Sequence, residues 1–120
     1  MIQLSNEEIQ RYSRHLVMPQ VALTGQRLLK EARVLWLGSP VALYLAAAGV
    51  GTLGLVDFDT VGLSNIQRQV LYSSDDVGRP KLEAACARLQ QLNPHTVVVP
   101  HALQLQPDNA MGVMQDYDVV

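Results

Sequence analysis

Cysteine is almost missing from this chain of 120 residues: Cys86 stands alone, so no internal disulfide and no multi-cysteine metal site can be built from it. Long apolar runs are missing too. The longest, Val41 to Val50, is roughly half the ~20 residues that a membrane-spanning helix needs. A secretory leader is not visible, because Glu7 and Glu8 precede any apolar block. There is no basic excess: the formal net charge is -2, which lacks the electrostatic footprint of most nucleic-acid binders. Internal repeats and low-complexity segments are absent. What remains is a chain 48% apolar, enough for one domain around one core, with the cytoplasm as its expected compartment and neither membrane nor nucleic acid as an expected partner.

Local patterns order the chain. Ser5 followed by Glu8 has capping-box spacing and predicts a helix running to about Leu16, with Ile9, Tyr12 and Leu16 on one stripe and Pro19 as its stop. Thr24 is expected to cap a second short helix with Leu28 and Leu29 on its apolar face. Val34 to Leu37 reads as a strand buried on both sides. Pro40 suits a first helical position, VALYLAAA continues the helix, and Gly49 suits a left-handed residue after its end. A second strand is expected over 52–56, a helix over 81–92 stopped by Asn93-Pro94, a third strand over 96–99, and a helix from Pro107 or Asp108 through Met114. Asp118-Val119-Val120 reads as the start of a fourth strand cut off by the chain end. The alternation predicts a Rossmann-like, doubly wound α/β fold with a mainly parallel sheet, incomplete at its C-terminus. Residues 1–32 form an N-terminal helical segment, and residues 33–120 a partial nucleotide-binding domain.

Most of the polar chemistry falls between Gly49 and Lys81. Asp57 and Asp59 follow the second strand, where open α/β sheets bind ligands. Ser64, Asn65, Ile66, Gln67, Arg68 and Gln69 form the next loop, and Lys81 opens a helix. A cation at a helix start opposes the macrodipole, which a bound anion would explain. Carboxylates beside cations at such an edge point to a nucleotide polyphosphate; both aspartates also suit a solvated strand-to-loop cap, and Arg68 a surface ion pair. Gly49, Gly51 and Gly54 read as a helix C-cap, a turn and a close packing contact. Cys86 reads as a small core residue, Trp36, Tyr44 and Phe58 as core or near-site packing, and His15, His95 and His101 lack metal-ligand spacing.

The segments LSNEEIQRYSRHL, AAAGVGTLGLVDFDTVGLSNIQRQVLY and VGRPK resemble the N-terminal half of the E1-like adenylyltransferases of the MoeB/ThiF/HesA family, over essentially the whole chain. The resemblance implies adenylation of the C-terminal glycine of a ubiquitin-like sulfur-carrier protein with a Gly-Gly tail, using ATP and Mg2+, in a homodimer. Any zinc site would lie in residues beyond this chain. By the same resemblance Asp57 binds the ribose hydroxyls, Asp59 ribose or metal, and the loop from Ser64 through Asn65, Ile66, Gln67 and Arg68, with Gln69 beside it, lines the phosphates. Lys81 contacts the phosphates. Arg14 and Arg68 correspond to arginine fingers, with Arg14 reaching from the partner subunit; as sequence alone, Arg14 also fits the polar face of an amphipathic helix.

One departure is large. Where the family carries a GxGGxG loop, this chain reads Leu37-Gly38-Ser39-Pro40, about five residues short by the family pattern. Those glycines and the helix N-terminus form the anion cradle, and Pro40 removes a further donor. A connection of two to six residues still joins a strand to a helix, so the fold survives the loss more readily than the ATP site. A second expectation follows: a non-catalytic family member acting as a folding, dimerisation or binding module. An NAD-binding dehydrogenase half is the weakest reading, because the glycine fingerprint is missing.

Overall fold

The computed structural model describes residues 2–37, 40–66, 69 and 71–120. Helix α1 (Asn6–Arg11) opens with the expected capping box: the Glu8 amide donates to Ser5 Oγ at 3.2 Å and the Ser5 amide to the Glu8 carboxylate at 2.7 Å. The predicted single helix is two, because the chain turns at Tyr12 (φ -101°, ψ 18°) and resumes as α2 (Ser13–Leu16). The cause is burial. Tyr12 is only 3% exposed, while Ile9, expected on the same stripe, is exposed.

Helix α3 (Ala22–Glu31) begins ahead of Thr24, with Val21 as an N-cap that makes no side-chain bond. Its inner face is set by Gln26, fully buried, and by Leu29, which packs on the core. Leu28, expected inside, is 55% exposed.

The strands are β1 (Arg33–Trp36), β2 (Thr52–Val56) and β3 (Val97–His101), parallel and in the order β1-β2-β3. Helix α4 (Pro40–Ala48) links the first pair and α5 (Lys81–Leu92) the second. Strand β3 starts one residue later than expected because the Thr96 side chain turns inward to donate to the Val50 carbonyl at 2.8 Å. It runs on through Pro100, which lacks a donor and is tolerated at a sheet edge.

After β3, helix α6 (Ala110–Met114) starts later than the Pro107 or Asp108 predicted. The chain then returns to β1 on the side away from β2. There the Leu35 amide donates to the Val119 carbonyl at 2.8 Å, in a single parallel bridge rather than a full fourth strand. The spatial order is therefore Val119, β1, β2, β3, and the direction of winding reverses at β1.

Register sorts the side chains into two layers. Val34, Trp36, Leu53, Leu55 and Val98 face the core built with Ala42 and Ala46 of α4 and Ala84, Ala85 and Leu89 of α5. Gly54 faces the other way and carries the Tyr117 ring; a Cβ there would overlap the phenol. The Tyr117 hydroxyl pairs with His101 Nε2 at 2.7 Å, and Arg33 lies 5.6 Å from the ring centroid. Segments on both faces of one parallel sheet are the doubly wound arrangement.

Candidate functional site

Winding that reverses at β1 puts a crevice at the carboxyl ends of the strands, the place where open α/β sheets take ligands. A cleft of about 240 Å³ lies there, lined by Leu37 after β1, Val56, Asp57 and Phe58 at the end of β2, and Leu103, Gln104 and Leu105 after β3. A smaller cleft of about 100 Å³ shares Asp57 and Phe58 and adds Asp59, Pro80, Leu82 and Ala102.

Asp57 is the carboxylate common to both clefts. Its amide reaches the His101 carbonyl at 3.4 Å, so the sheet still holds its backbone. Its Oδ1 accepts from the Phe58 amide at 2.7 Å and the Asp59 amide at 2.9 Å. Two backbone donors thus orient the group, and among the described residues none bonds its second oxygen.

The loop returns to α5 by pairing with itself. Val61 exchanges backbone bonds with Gly78 and Arg79 at 2.9 Å each, Thr60 bridges Pro80, and the Lys81 amide donates to the Asp59 carbonyl at 2.9 Å. The backbones of Asp59 and Lys81 are therefore neighbours. Lys81 is half-buried, opens α5 behind a Pro80 cap without a side-chain bond, and makes no ion pair among the described residues.

The remaining predicted residues are placed less completely. Ser64 is exposed and Asn65 ends a short 3-10 turn (Leu63–Asn65). Ile66 is half-buried, as is Gln69, whose Oε1 is buried with no partner among the described residues. Gln67, Arg68 and the Gly38-Ser39 turn lie outside the described residues. Arg14 is exposed on α2, whose neighbours Tyr12 and His15 are tied to Asn93 and Gln26, the latter bonded to Ala48. Ala48 precedes β2 and Asp57 follows it. Five residues of strand span roughly 17 Å at about 3.3 Å each, so one chain does not bring Arg14 to Asp57.

Sequence reasoning missed Leu37, Leu103, Gln104 and Leu105. Their signal was positional: Leu37 directly follows β1, and Leu103, Gln104 and Leu105 come two to four residues after β3. Tyr44, 73% exposed, corrects the packing expectation, whereas Phe58, 63% exposed, packs at the clefts rather than in the core. Cys86 packs beside the core, and burial pushes its thiol up, away from reactivity. The histidines serve contacts with Gln26, Glu7 and Tyr117. Among the described residues no group of three or more His, Cys, Asp or Glu could hold a metal, and no helix is long and apolar enough to cross a membrane.

The ThiF family pattern matches residues 12–120. The chain belongs to the ThiF family. The adenylyltransferase and sulfurtransferase uba4 of Aspergillus fumigatus is 52% identical over 122 positions, covering 98% of this chain and 25% of that protein. The probable adenylyltransferase/sulfurtransferase MoeZ of Mycobacterium tuberculosis is 50% identical over 122 positions, covering 98% of this chain and 31% of that protein. This ThiF-family chain thus spans between a quarter and a third of the length of these two relatives. Alignments of 122 positions exceed the 120 residues present, so each relative has residues without a counterpart here. The crystal structure of E. coli tRNA N6-threonylcarbamoyladenosine dehydratase, TcdA, in complex with ATP has a TM-score of 0.83 and 27% identity, covering 95% of this chain and 48% of that one.

Proposed function

We propose that this chain is the nucleotide-binding half of an ATP-dependent adenylyltransferase that activates the C-terminal glycine of a ubiquitin-like sulfur-carrier protein in the cytoplasm. The observation that carries the proposal is the cleft at the carboxyl edge of the sheet, with Asp57 oriented by two backbone amides, in a chain of the ThiF family. The names of the adenylyltransferase relatives and the likeness to an ATP-bound structure support the same reading. Residues 33–120 are then the nucleotide-binding unit and residues 1–32 a helical segment packed on it.

The described residues fit the nucleoside. Apolar walls from Leu37, Val56, Phe58, Leu103 and Leu105 accept a base, and a fixed carboxylate accepts ribose hydroxyls. Asp59 flanks that carboxylate. Lys81, Arg68 and the loop Ser64, Asn65, Ile66, Gln67 and Gln69 take the phosphates. The carrier's terminal carboxylate attacks the α-phosphorus and pyrophosphate leaves. Charge building on that phosphorus is met by Arg68 and by Arg14 of a second copy, since Arg14 sits at the opposite edge of its own sheet; an arginine in that role is worth on the order of 10³ to 10⁵ in rate. Mg2+ would neutralise phosphate charge, and Asp59 is the carboxylate beside the ribose site that would help to hold it, since it needs no larger protein cage.

One observation favours a second reading, a non-catalytic member that only folds, dimerises or binds a partner: three residues separate β1 from α4, and the glycine cradle is not among them. ATP–pyrophosphate exchange in the presence of a carrier ending in Gly-Gly separates the two. The first reading requires carrier-dependent exchange by the intact protein. Absence of exchange, with no ATP affinity by calorimetry, would leave the second.

A further inference from the structure

Helix α2, which carries Arg14, has only the four residues Ser13–Leu16 and no side-chain cap at its start. A helix of one turn does not stand by itself, because nucleation costs more than so few bonds return. Its rigidity has to come from elsewhere, and the residues on either side of Arg14 supply it. The Tyr12 hydroxyl accepts from Asn93 Nδ2 at 2.7 Å, and the same amide donates to the Ala46 carbonyl at 2.7 Å. His15 Nδ1 lies 2.9 Å from Gln26 Oε1, while Gln26 Nε2 donates to the Ala48 carbonyl at 2.8 Å.

These bonds fix the chemistry of each partner. With its NH2 committed to a carbonyl, Gln26 offers His15 only an acceptor, so His15 Nδ1 carries the proton and donates. The Ala48 carbonyl, past the last helical amide of α4, gains a side-chain donor in its place, and the Ala46 carbonyl accepts from Asn93 in addition to the Gly49 amide at 3.1 Å. Gln26 and Asn93 are both completely buried, so an unmade bond there would carry the full desolvation cost. Gly49 sits at φ +96°, and a Cβ added there would collide with Gln26 Nε2 and lie 2.8 Å from the Tyr12 ring. The His15 imidazole lies parallel to the Tyr12 phenol within 7° at 6.5 Å.

We propose that His15 and Gln26 are positioning residues: they clamp α2 to the end of α4 and so hold Arg14 at a set place and direction for the site it completes. The proposal rests on the reading of Arg14 given above. Neither residue touches nucleotide in this account, and Arg14 itself makes no ion pair among the described residues that would hold it.

The test is a mutant cycle in ATP–pyrophosphate exchange by the intact protein. His15→Ala is expected to lower kcat at least tenfold with KM for ATP within about twofold. His15→Asn, whose amide nitrogen replaces Nδ1 as donor, is expected to restore most of it. Arg14→Ala/His15→Ala should be no slower than Arg14→Ala alone, since a clamp has no effect once its cargo is gone. A double variant slower by the product of the two single losses would overturn the positioning role. Wild-type turnover by Arg14→Ala would instead overturn the reading of Arg14 itself. A second measurement needs no activity: hydrogen exchange at the amides of His15, Leu16 and Val17, which bond to Tyr12 and Ser13 carbonyls, should quicken at least tenfold in His15→Ala and recover in His15→Asn. Unchanged protection in His15→Ala would overturn the clamp.

Discussion

Glu8 shows how one residue ties the N-terminal segment down. Burial pushes its carboxyl up, but the Lys30 ammonium at 2.8 Å and the amide and hydroxyl of Ser5 outweigh that and hold it below the usual carboxylate range. Asp76 is held low by the Ser73 amide, against burial, and with help from the Ser73 hydroxyl and Arg79. Both groups have a folded pKa below the unfolded one. The stability they contribute is therefore complete above the unfolded carboxylate value, about 4, and is lost as pH falls through the folded values. Urea midpoints followed from pH 6 to pH 3 should fall, and Glu8→Gln should flatten part of that fall. Gly49→Ala is the sharper test of local packing, because it combines a left-handed backbone with crowding by Gln26 and Tyr12. It is expected to cost about 1–3 kcal/mol in equilibrium unfolding.

At the scale of elements, legibility tracked how local the deciding force was. Helices α4 and α5 and strand β2 have the predicted bounds, because Pro40, Gly49 and Asn93-Pro94 end segments by backbone chemistry. The predictions missed where tertiary burial decides: Tyr12 splits a helix to reach Asn93, and Gln26, polar and fully buried, turns α3 so that Leu28 faces out. No sequence periodicity marks a buried glutamine as a core residue. The pairing of Gly54 with Tyr117 was legible only in half, as a glycine needing a close neighbour. Gly54→Ala should push the Tyr117 ring off the sheet and cost about 1–3 kcal/mol. Tyr117→Ala should remove most of that further cost in the double variant, so the cycle measured by urea unfolding should be strongly non-additive.

For the whole molecule, the doubly wound sheet was legible from the alternation of strands and helices, and it dictates where a ligand goes. Asp57, Asp59 and Lys81 were legible because each sits at a strand end or helix start. The apolar wall after β3 was not, because Leu103-Gln104-Leu105 has no pattern until the sheet brings it beside Asp57. The same architecture sets Arg14 and Asp57 toward opposite ends of β2, so the proposed role of Arg14 is one for a second copy. It also makes the short connection between β1 and α4 the expected weak point for phosphate. Inserting a GxGGxG loop between Leu37 and Pro40 should tighten ATP at least tenfold by calorimetry while leaving adenosine nearly unchanged.

The most direct test of the nucleotide cleft is an ATP titration of this chain followed by amide chemical shifts. The account predicts saturable shifts, in the millimolar range, at Asp57, Phe58, Lys81 and residues 103–105, lost in Asp57→Ala with the rest of the spectrum intact. Shifts confined to other surfaces, or an Asp57→Ala titration identical to the wild type, would contradict it.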